Sequence, residues 1–483
     1  MRSNGILCPL SMLPSECGIG DFGKPSYEFI KLIKEAGIKY WQILPLNPSD
    51  SFNSPYASSC DSAFDPIYVS LDLLVERGLI KSYVKRNFDK DHVEYQSVRE
   101  YKMFYLKKAY KVQKDTETKA FKDFIKNNTW LEKYAKFMVL SKKNHGKVLF
   151  EWVKNDRNAF YDNSKNWDKY ESAIKFIYWV QFELYREFDL LKKALKEAGI
   201  ILIGDMPFYV GLNSSDYFAH LDNFVIDENE KPKLVAGVPP DYFCPEGQLW
   251  GNPIYDVRYM AENGYAFFLN RIKKALAKYD ILRLDHFRAF DTYYEIPYGA
   301  PNAINGTWKE GLGAPFFDLL KKEGLLDRII VEDLGDLFPS VLTLRDKFNM
   351  PGMNILEFTW GDNLQQPVKN QVIYTGTHDN ETIVGYYKNL DAQAKRLLDI
   401  KFRYNNIPAS KQINMRFIML AYAAVSDLAI IPIQDFLGID NRGRINTPGV
   451  GNDRNWTFRL PSLEPFKNMI PTIKELLEKY DRW

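Results

Sequence analysis

At 483 residues the chain exceeds a single core of ordinary size, so one large domain with insertions, or two to three domains, is expected. Its 64 Lys and Arg are scattered among 62 Asp and Glu for a net charge of +2, which leaves no basic footprint for nucleic acid or an anionic membrane and points to an uncharged partner. Cys8, Cys17, Cys60 and Cys244 lie far apart with no C-x-x-C pair, which argues against a disulfide framework or zinc knuckle; with no signal-peptide core and no membrane-length apolar window, the chain reads as cytoplasmic.

Along the chain, short apolar runs ending in polar or turn residues recur, as expected of parallel strands buried on both faces. "GILCPL" from Gly5 is followed by the helical pattern "YEFIKLIKEAG" and then by "YWQILPLNP" from Tyr40. Residues 71–193, rich in Lys, Tyr and Phe and poor in Gly, read as a mostly helical insertion. "GIILIGDMPF" from Gly199 resumes the strand series, and residues 207–262, containing "GVPPDYFCPEGQLWGNPIYD", read as a long aperiodic functional loop. "YDILRLDHF" from Tyr279, "DRIIVEDLG" from Asp327, "GMNILEFTW" from Gly352, "NQVIYTGTHDN" from Asn370 and "LAIIPIQDFL" from Leu428 complete eight runs, before a terminal helix "EPFKNMIPTIKELLEKYDRW". Eight strands alternating with helices predict an α/β fold, the (β/α)8 TIM barrel: strands one and two in 1–70, the helical insertion in 71–193, and strands three to eight in 194–483 with long loops on the C-terminal face.

Active sites of such barrels lie at the C-terminal strand ends, and here those ends are acidic. The third run ends at Asp205, the fourth at Asp285, the fifth at Glu332 and Asp333, the seventh at His378 and Asp379, and the eighth near Asp435. Carboxylates gathered on one rim repel one another unless chemistry uses them or cations pair with them. Two facing carboxyl groups are the minimum for glycosyl transfer, and a third can hold sugar hydroxyls; Asp285, Glu332 and Asp379 stand at three different strand ends. Arg283 shares a face with Asp285 by period-two alternation and would keep it ionised, whereas His286 and Arg288 face the other way and brace neighbouring elements. A single acid at a strand end is more often a cap or salt-bridge partner, but three in register beside a cation favour catalysis. Asp285, His286, Glu332 and His378 could also ligate a metal, yet the histidines lack H-x-x-x-H or H-x-H spacing.

Taken in order, "GILCPLSMLPSECGIGDFG", "WQILPLNP", "SPYASSCDSAFDP", "GDMPFYV", "GVPPDYFCPEGQLWGNP", "LRLDHFRAF", "VEDLG", "PGMNILEF", "YTGTHDNET", "IPIQDFLG" and "NTPG" resemble the amylomaltase family, the 4-α-glucanotransferases of the α-amylase clan. The resemblance implies Asp285 as the nucleophile that forms a covalent β-glucosyl enzyme, Glu332 as general acid and then base, and Asp379 as the transition-state stabiliser, with His378 and Arg283 beside it. It implies that Tyr56 stacks near the scissile sugar, that Asp241, Gln248 and Trp250 lie in a loop over the acceptor side, and that Asn446 contacts substrate or caps a turn. The implied substrates are maltooligosaccharides and α-1,4-glucans as donor and acceptor, in glycogen, starch or maltodextrin metabolism, with retention and without cofactor or metal. Ala289 stands where the family has Gly, Glu246 of "CPEG" where Thr is typical, and the rim near Asp362 is short. A related hydrolase, a glucan-binding barrel without catalysis and a metal-dependent hydrolase are the competing readings.

Overall fold

The computed structural model describes residues 2–50, 52–162, 167–240, 244–335, 337–359, 366–410 and 412–483. Their strands are β1 (Ser3–Leu7), β2 (Tyr40–Gln42), β3 (Ile201–Met206), β4 (Leu234–Val238), β5 (Gln248–Pro253) and β6 (Ile281–Leu284) in the first half of the series. β7 (Thr292–Pro297), β8 (Thr307–Glu310), β9 (Ile329–Val331), β10 (Gly352–Ile355), β11 (Gln371–Tyr374) and β12 (Leu428–Pro432) complete it. Eight pair in parallel in the order β10-β11-β12-β1-β2-β3-β6-β9; seven fall within one of the eight apolar runs, and β1 begins two residues before the first. The two ends of this sheet meet where the Val331 N–H donates to the Pro351 carbonyl at 3.0 Å, so the sheet curls into a (β/α)8 TIM barrel.

Period-two alternation sends one side chain of each pair inward. Leu7, Ile203, Ile330, Met353, Ile355, Val372, Tyr374, Leu428 and Ile430 fill the barrel as a buried cluster of their own. The outward face packs on helices, and Gly204 shows how tightly: a Cβ there would lie 2.1 Å from the ring of Tyr279. Only a residue without a side chain lets that ring lie against the strand.

Between β2 and β3 the chain forms helices Leu71–Glu76, Tyr95–Val112, Lys119–Asn127, Trp130–Lys143, Lys154–Tyr161 and Glu171–Ala198. The last runs unbroken through residue 193 and stops at Gly199, whose φ of 72° is the left-handed conformation that ends a helix. Its C-terminal half belongs to the barrel coat, where Phe188 packs edge-on against Phe22 with ring centres 5.3 Å apart.

Residues 207–262 are not the aperiodic loop that the sequence suggested. They supply β4 and β5, which join β7 and β8 in an antiparallel sheet ordered β5-β4-β7-β8 beside the barrel mouth. Gly237, Gly251 and Pro253 interrupt the alternation, and the register shifts between Val235 and Gly237, so no two-residue period shows in the sequence. Among the described residues no helix is long and apolar enough to cross a membrane.

Candidate active site

The site begins where β3 and β6 end. These strands are adjacent, and their register sets Asp205 opposite Arg283. Nη1 of the buried Arg283 lies 2.9 and 2.8 Å from the two carboxylate oxygens of Asp205 and 2.8 Å from Oδ1 of Asp285. Burial opposes a charge on Arg283, but Asp205 and Asp285 more than offset it and hold its pKa well above the ordinary value. Asp285 is the more open of the pair, with 26% of its side chain exposed against none for Asp205. Asp205 therefore anchors the cation, and Asp285 presents its free oxygen to the cleft.

Glu332 follows β9, the strand next to β6. Its Oε1 accepts the Leu334 N–H at 3.0 Å and its Oε2 the His286 N–H at 2.8 Å. Burial pushes its pKa up to about 8, with the charge of Asp285 adding to the rise and that of Arg283 opposing it. One carboxyl beside a guanidinium and another that keeps its proton are thus set apart by environment.

His286 is placed differently from the expectation. β6 stops at Leu284, so alternation no longer applies, and His286 adopts a φ of 50°. That left-handed conformation costs roughly 1–2 kcal/mol for a residue with a side chain, and it aims the His286 N–H at Glu332. The ring meets that of Trp250 edge to face, centres 4.9 Å apart. Burial lowers its pKa to about 4, so the imidazole is neutral. Arg288 braces the rim, its guanidinium carbon 3.9 Å from the ring centre of Trp308.

Asp379 lies beyond β11. Its Oδ1 accepts from the Asn446 amide at 2.7 Å, and its Oδ2 is 3.3 Å from Nε2 of the buried His378. Asn446 also donates its N–H to the His378 carbonyl at 3.0 Å, while Arg444 donates to the carbonyls of Asp379 and Asn446. Tyr56 stacks on His378 with centres 5.2 Å apart and 17° between planes, and its hydroxyl donates to Asp205 at 2.9 Å. Trp456 leans on both rings. Tyr56 thus connects the strand end of β3 to that of β11.

Trp250, on β5, is exposed above His286, and its indole N–H donates to the Gln248 side chain at 3.1 Å. Gln248 in turn lies near Gly449, three residues past Asn446. Asp241 and Asp362 lie outside the described residues. Ala289 sits in the short helix Arg288–Asp291 and is not among the residues of positive φ, so the family's Gly is not needed there.

A family model described as 4-alpha-glucanotransferase matches residues 8–464. The chain belongs to that family. It is 35% identical over 491 residues to the 4-alpha-glucanotransferase of Aquifex aeolicus, covering all of both chains. Its fold superposes on amylomaltase from Streptococcus agalactiae in complex with acarbose with a TM-score of 0.93 at 30% identity, again over all of both chains. Amylomaltase from Corynebacterium glutamicum shares the fold at a TM-score of 0.79 and 18% identity, over all of this chain and 75% of that one.

In this 4-alpha-glucanotransferase two of the acidic strand ends do not reach the cleft. Asp333 pairs with Arg345 and accepts the Met353 N–H at 2.7 Å, which fastens β9 to β10. Asp435, fully enclosed, accepts from the Thr375 hydroxyl at 2.5 Å and the Ile383 N–H at 2.9 Å, so it holds the two ends of the segment that carries His378 and Asp379. Glu357 lies two residues past the end of β10, inside the run "GMNILEFTW", but was not singled out there. It accepts from the Asn380 amide at 3.2 Å, and Asn380 accepts from the Thr377 N–H and hydroxyl. Burial pushes Glu357 up to about 9, aided by Asp435 and Glu381. Among the described residues no group of three or more His, Cys, Asp or Glu has metal-holding geometry.

Proposed function

We propose that this transferase moves α-1,4-glucan segments between maltooligosaccharides by retaining double displacement, with Asp285 as nucleophile, Glu332 as acid and base, and Asp379 as hydroxyl clamp. The observation that carries the reading is the division of protonation across the cleft: Asp285 faces the Arg283 cation at 2.8 Å, while burial keeps Glu332 protonated. A carboxylate oxygen of Asp285 bonds to the anomeric carbon as the glycosidic C–O bond breaks, and the Glu332 proton goes to the departing oxygen. Glu332, now a carboxylate, takes the proton of an acceptor 4-hydroxyl, whose oxygen bonds to the anomeric carbon as the ester to Asp285 breaks. No cofactor enters either step.

Arg283 and His378 hold the two carboxylates of this scheme. Tyr56 ties the end of β3 to His378 beyond β11, Asn446 holds Asp379, and Trp250 with Gln248 forms the acceptor-side wall that excludes water. By resemblance we assign Asp241 to acceptor binding, and take 71–193 as an insertion bordering the cleft. The buried thiols of Cys8, Cys17 and Cys60 support a cytoplasmic enzyme. Incubation with maltotriose tests the reading: glucose plus a ladder of longer maltooligosaccharides is expected, and a mixture containing only shorter products would sink it. Asp285→Asn is expected to abolish both.

A further inference from the structure

Trp456 holds a backbone conformation that its side chain disfavours. Its φ is 68°, a left-handed geometry that is strained for a residue of that bulk. Strain of this kind persists only where the surroundings impose it, and here two hydrogen bonds do. The Trp456 N–H donates to the Ile445 carbonyl at 2.6 Å, and the Trp456 carbonyl accepts from the Tyr95 hydroxyl at 2.8 Å. The first bond closes the loop that begins at Asn446, whose amide grips Asp379. The second comes from the chain between β2 and β3, where the buried Tyr95 opens the helix Tyr95–Val112.

Tyr95 does not act alone. The residues before it run antiparallel to residues 457–459: the Val93 N–H donates to the Thr457 carbonyl at 2.6 Å, the Arg459 N–H donates to the Asp91 carbonyl at 2.9 Å, and His92 pairs with Phe458 between them. The Arg459 guanidinium adds bonds to the Asp89 and Ser15 carbonyls at 3.2 and 2.8 Å. This seam fixes the backbone after Trp456, and Ile445 fixes it from the other side. The indole is thereby held against Tyr56 and His378, with ring centres 5.7 and 5.9 Å away. Those two rings stack on each other, and each carries a polar tip to a carboxylate, Tyr56 to Asp205 and His378 to Asp379. A stacked pair can slide along its common plane. A third ring inclined 44° to one and 36° to the other blocks that slide.

We propose, on the reading of Asp379 as hydroxyl clamp, that Trp456 is a positioning residue for that side of the cleft and that residues 89–95 serve the reaction by holding it in its turn. Without the indole, Tyr56 and His378 shift and the clamp loses its aim, so turnover falls while donor binding does not.

Substitutions at one position separate the ring from the backbone. Trp456→Ala removes the ring and keeps the strain, whereas Trp456→Gly removes both. The kcat for total maltotriose cleavage is expected to fall about tenfold or more, alike in the two, with KM within about twofold, although Trp456→Gly has the higher Tm. Trp456→Phe should restore part of the kcat. Tyr95→Phe, which removes one hydroxyl, should lower kcat about threefold or more by itself and add nothing in the Trp456→Gly background, where the brace has no ring to hold. A full kcat in Tyr95→Phe, a kcat that tracks Tm across the Trp456 variants, a loss confined to KM, or a Tyr95 effect of equal size in both backgrounds would each overturn the proposal. Cleavage is counted whether the glucan is transferred or hydrolysed, so a chain that only shortens maltotriose would sink the transfer reading and leave this one standing.

Discussion

Arg283 and Asp285 stand two residues apart at one strand end, joined by a 2.8 Å contact, and the same guanidinium nitrogen also grips Asp205. Asp285 is therefore oriented by a cation whose own position is fixed from the neighbouring strand. Replacing Arg283 by Met strands the fully buried Asp205. Breaking a buried pair in this way costs about 3–5 kcal/mol. Arg283→Met should lower stability by that order in urea unfolding and cut transfer about 100-fold or more, and Arg283→Lys should recover part of the stability but little of the rate, since Lys lacks the planar fork.

Glu332 must carry its proton when the donor glucan binds. With its pKa near 8, the protonated fraction is full at lower pH and is lost as pH rises through about 8. The rate kcat/KM for maltotriose should therefore fall on the alkaline side with a midpoint close to 8. Glu332→Gln should abolish transfer from maltotriose but retain formation of the covalent intermediate from α-glucosyl fluoride, whose leaving group needs no proton; equal loss on both donors would contradict the acid role.

The barrel strands were legible because parallel strands buried on both faces are largely apolar, and β9 and β12 announce themselves as such runs. Asp285, Glu332 and Asp379 stood out because their runs end in acids. The antiparallel sheet was not, since Gly and Pro in β4 and β5 erase the period-two signal. His286 was misjudged for a more local reason: strand alternation was extended one residue past a backbone that turns left-handed there. Glu357 and Asp435 brace the segment that carries His378 and Asp379; Asp435 stood out as an acidic strand end, but nothing in the sequence told that it works from behind the rim.

Glu357 rises from an ordinary 4.5 to about 9 on folding. A carboxyl raised in this way favours the folded state below about 4.5 and loses that contribution as pH rises through about 9. Tm should thus decline between about pH 6 and about pH 9. Glu357→Gln, neutral and of the same shape, should flatten that decline and leave transfer at neutral pH intact, which differential scanning calorimetry across the range would show.

Asn446 holds Asp379 by one amide at 2.7 Å. A hydrogen bond to a charged group is worth roughly 1.5–3 kcal/mol. Asn446→Ala should lower kcat by about 10- to 100-fold with little change in Tm, and Asn446→Asp should be worse because it sets a second negative charge against Asp379.

Trp250 covers the cleft from β5 with its ring against His286. Trp250→Ala opens the acceptor side to water. Released glucose and total reducing ends, followed together, should reveal a rise of about tenfold in hydrolysis relative to transfer, with donor cleavage much less affected.

One guanidinium among three carboxyl groups also fixes a ledger of charge for the whole cycle. In the proposed cycle Asp285 gives up its negative charge on becoming an ester and Glu332 acquires one by releasing its proton, so the net charge around Arg283 does not change between the two half-reactions. The charge of Asp285 is among the influences that hold the Glu332 proton on. Esterification removes that influence at the moment the proton must leave and restores it when the product departs. The acidity of Glu332 is thus timed by the covalent state of Asp285, and neither strand has to move for the acid to become a base.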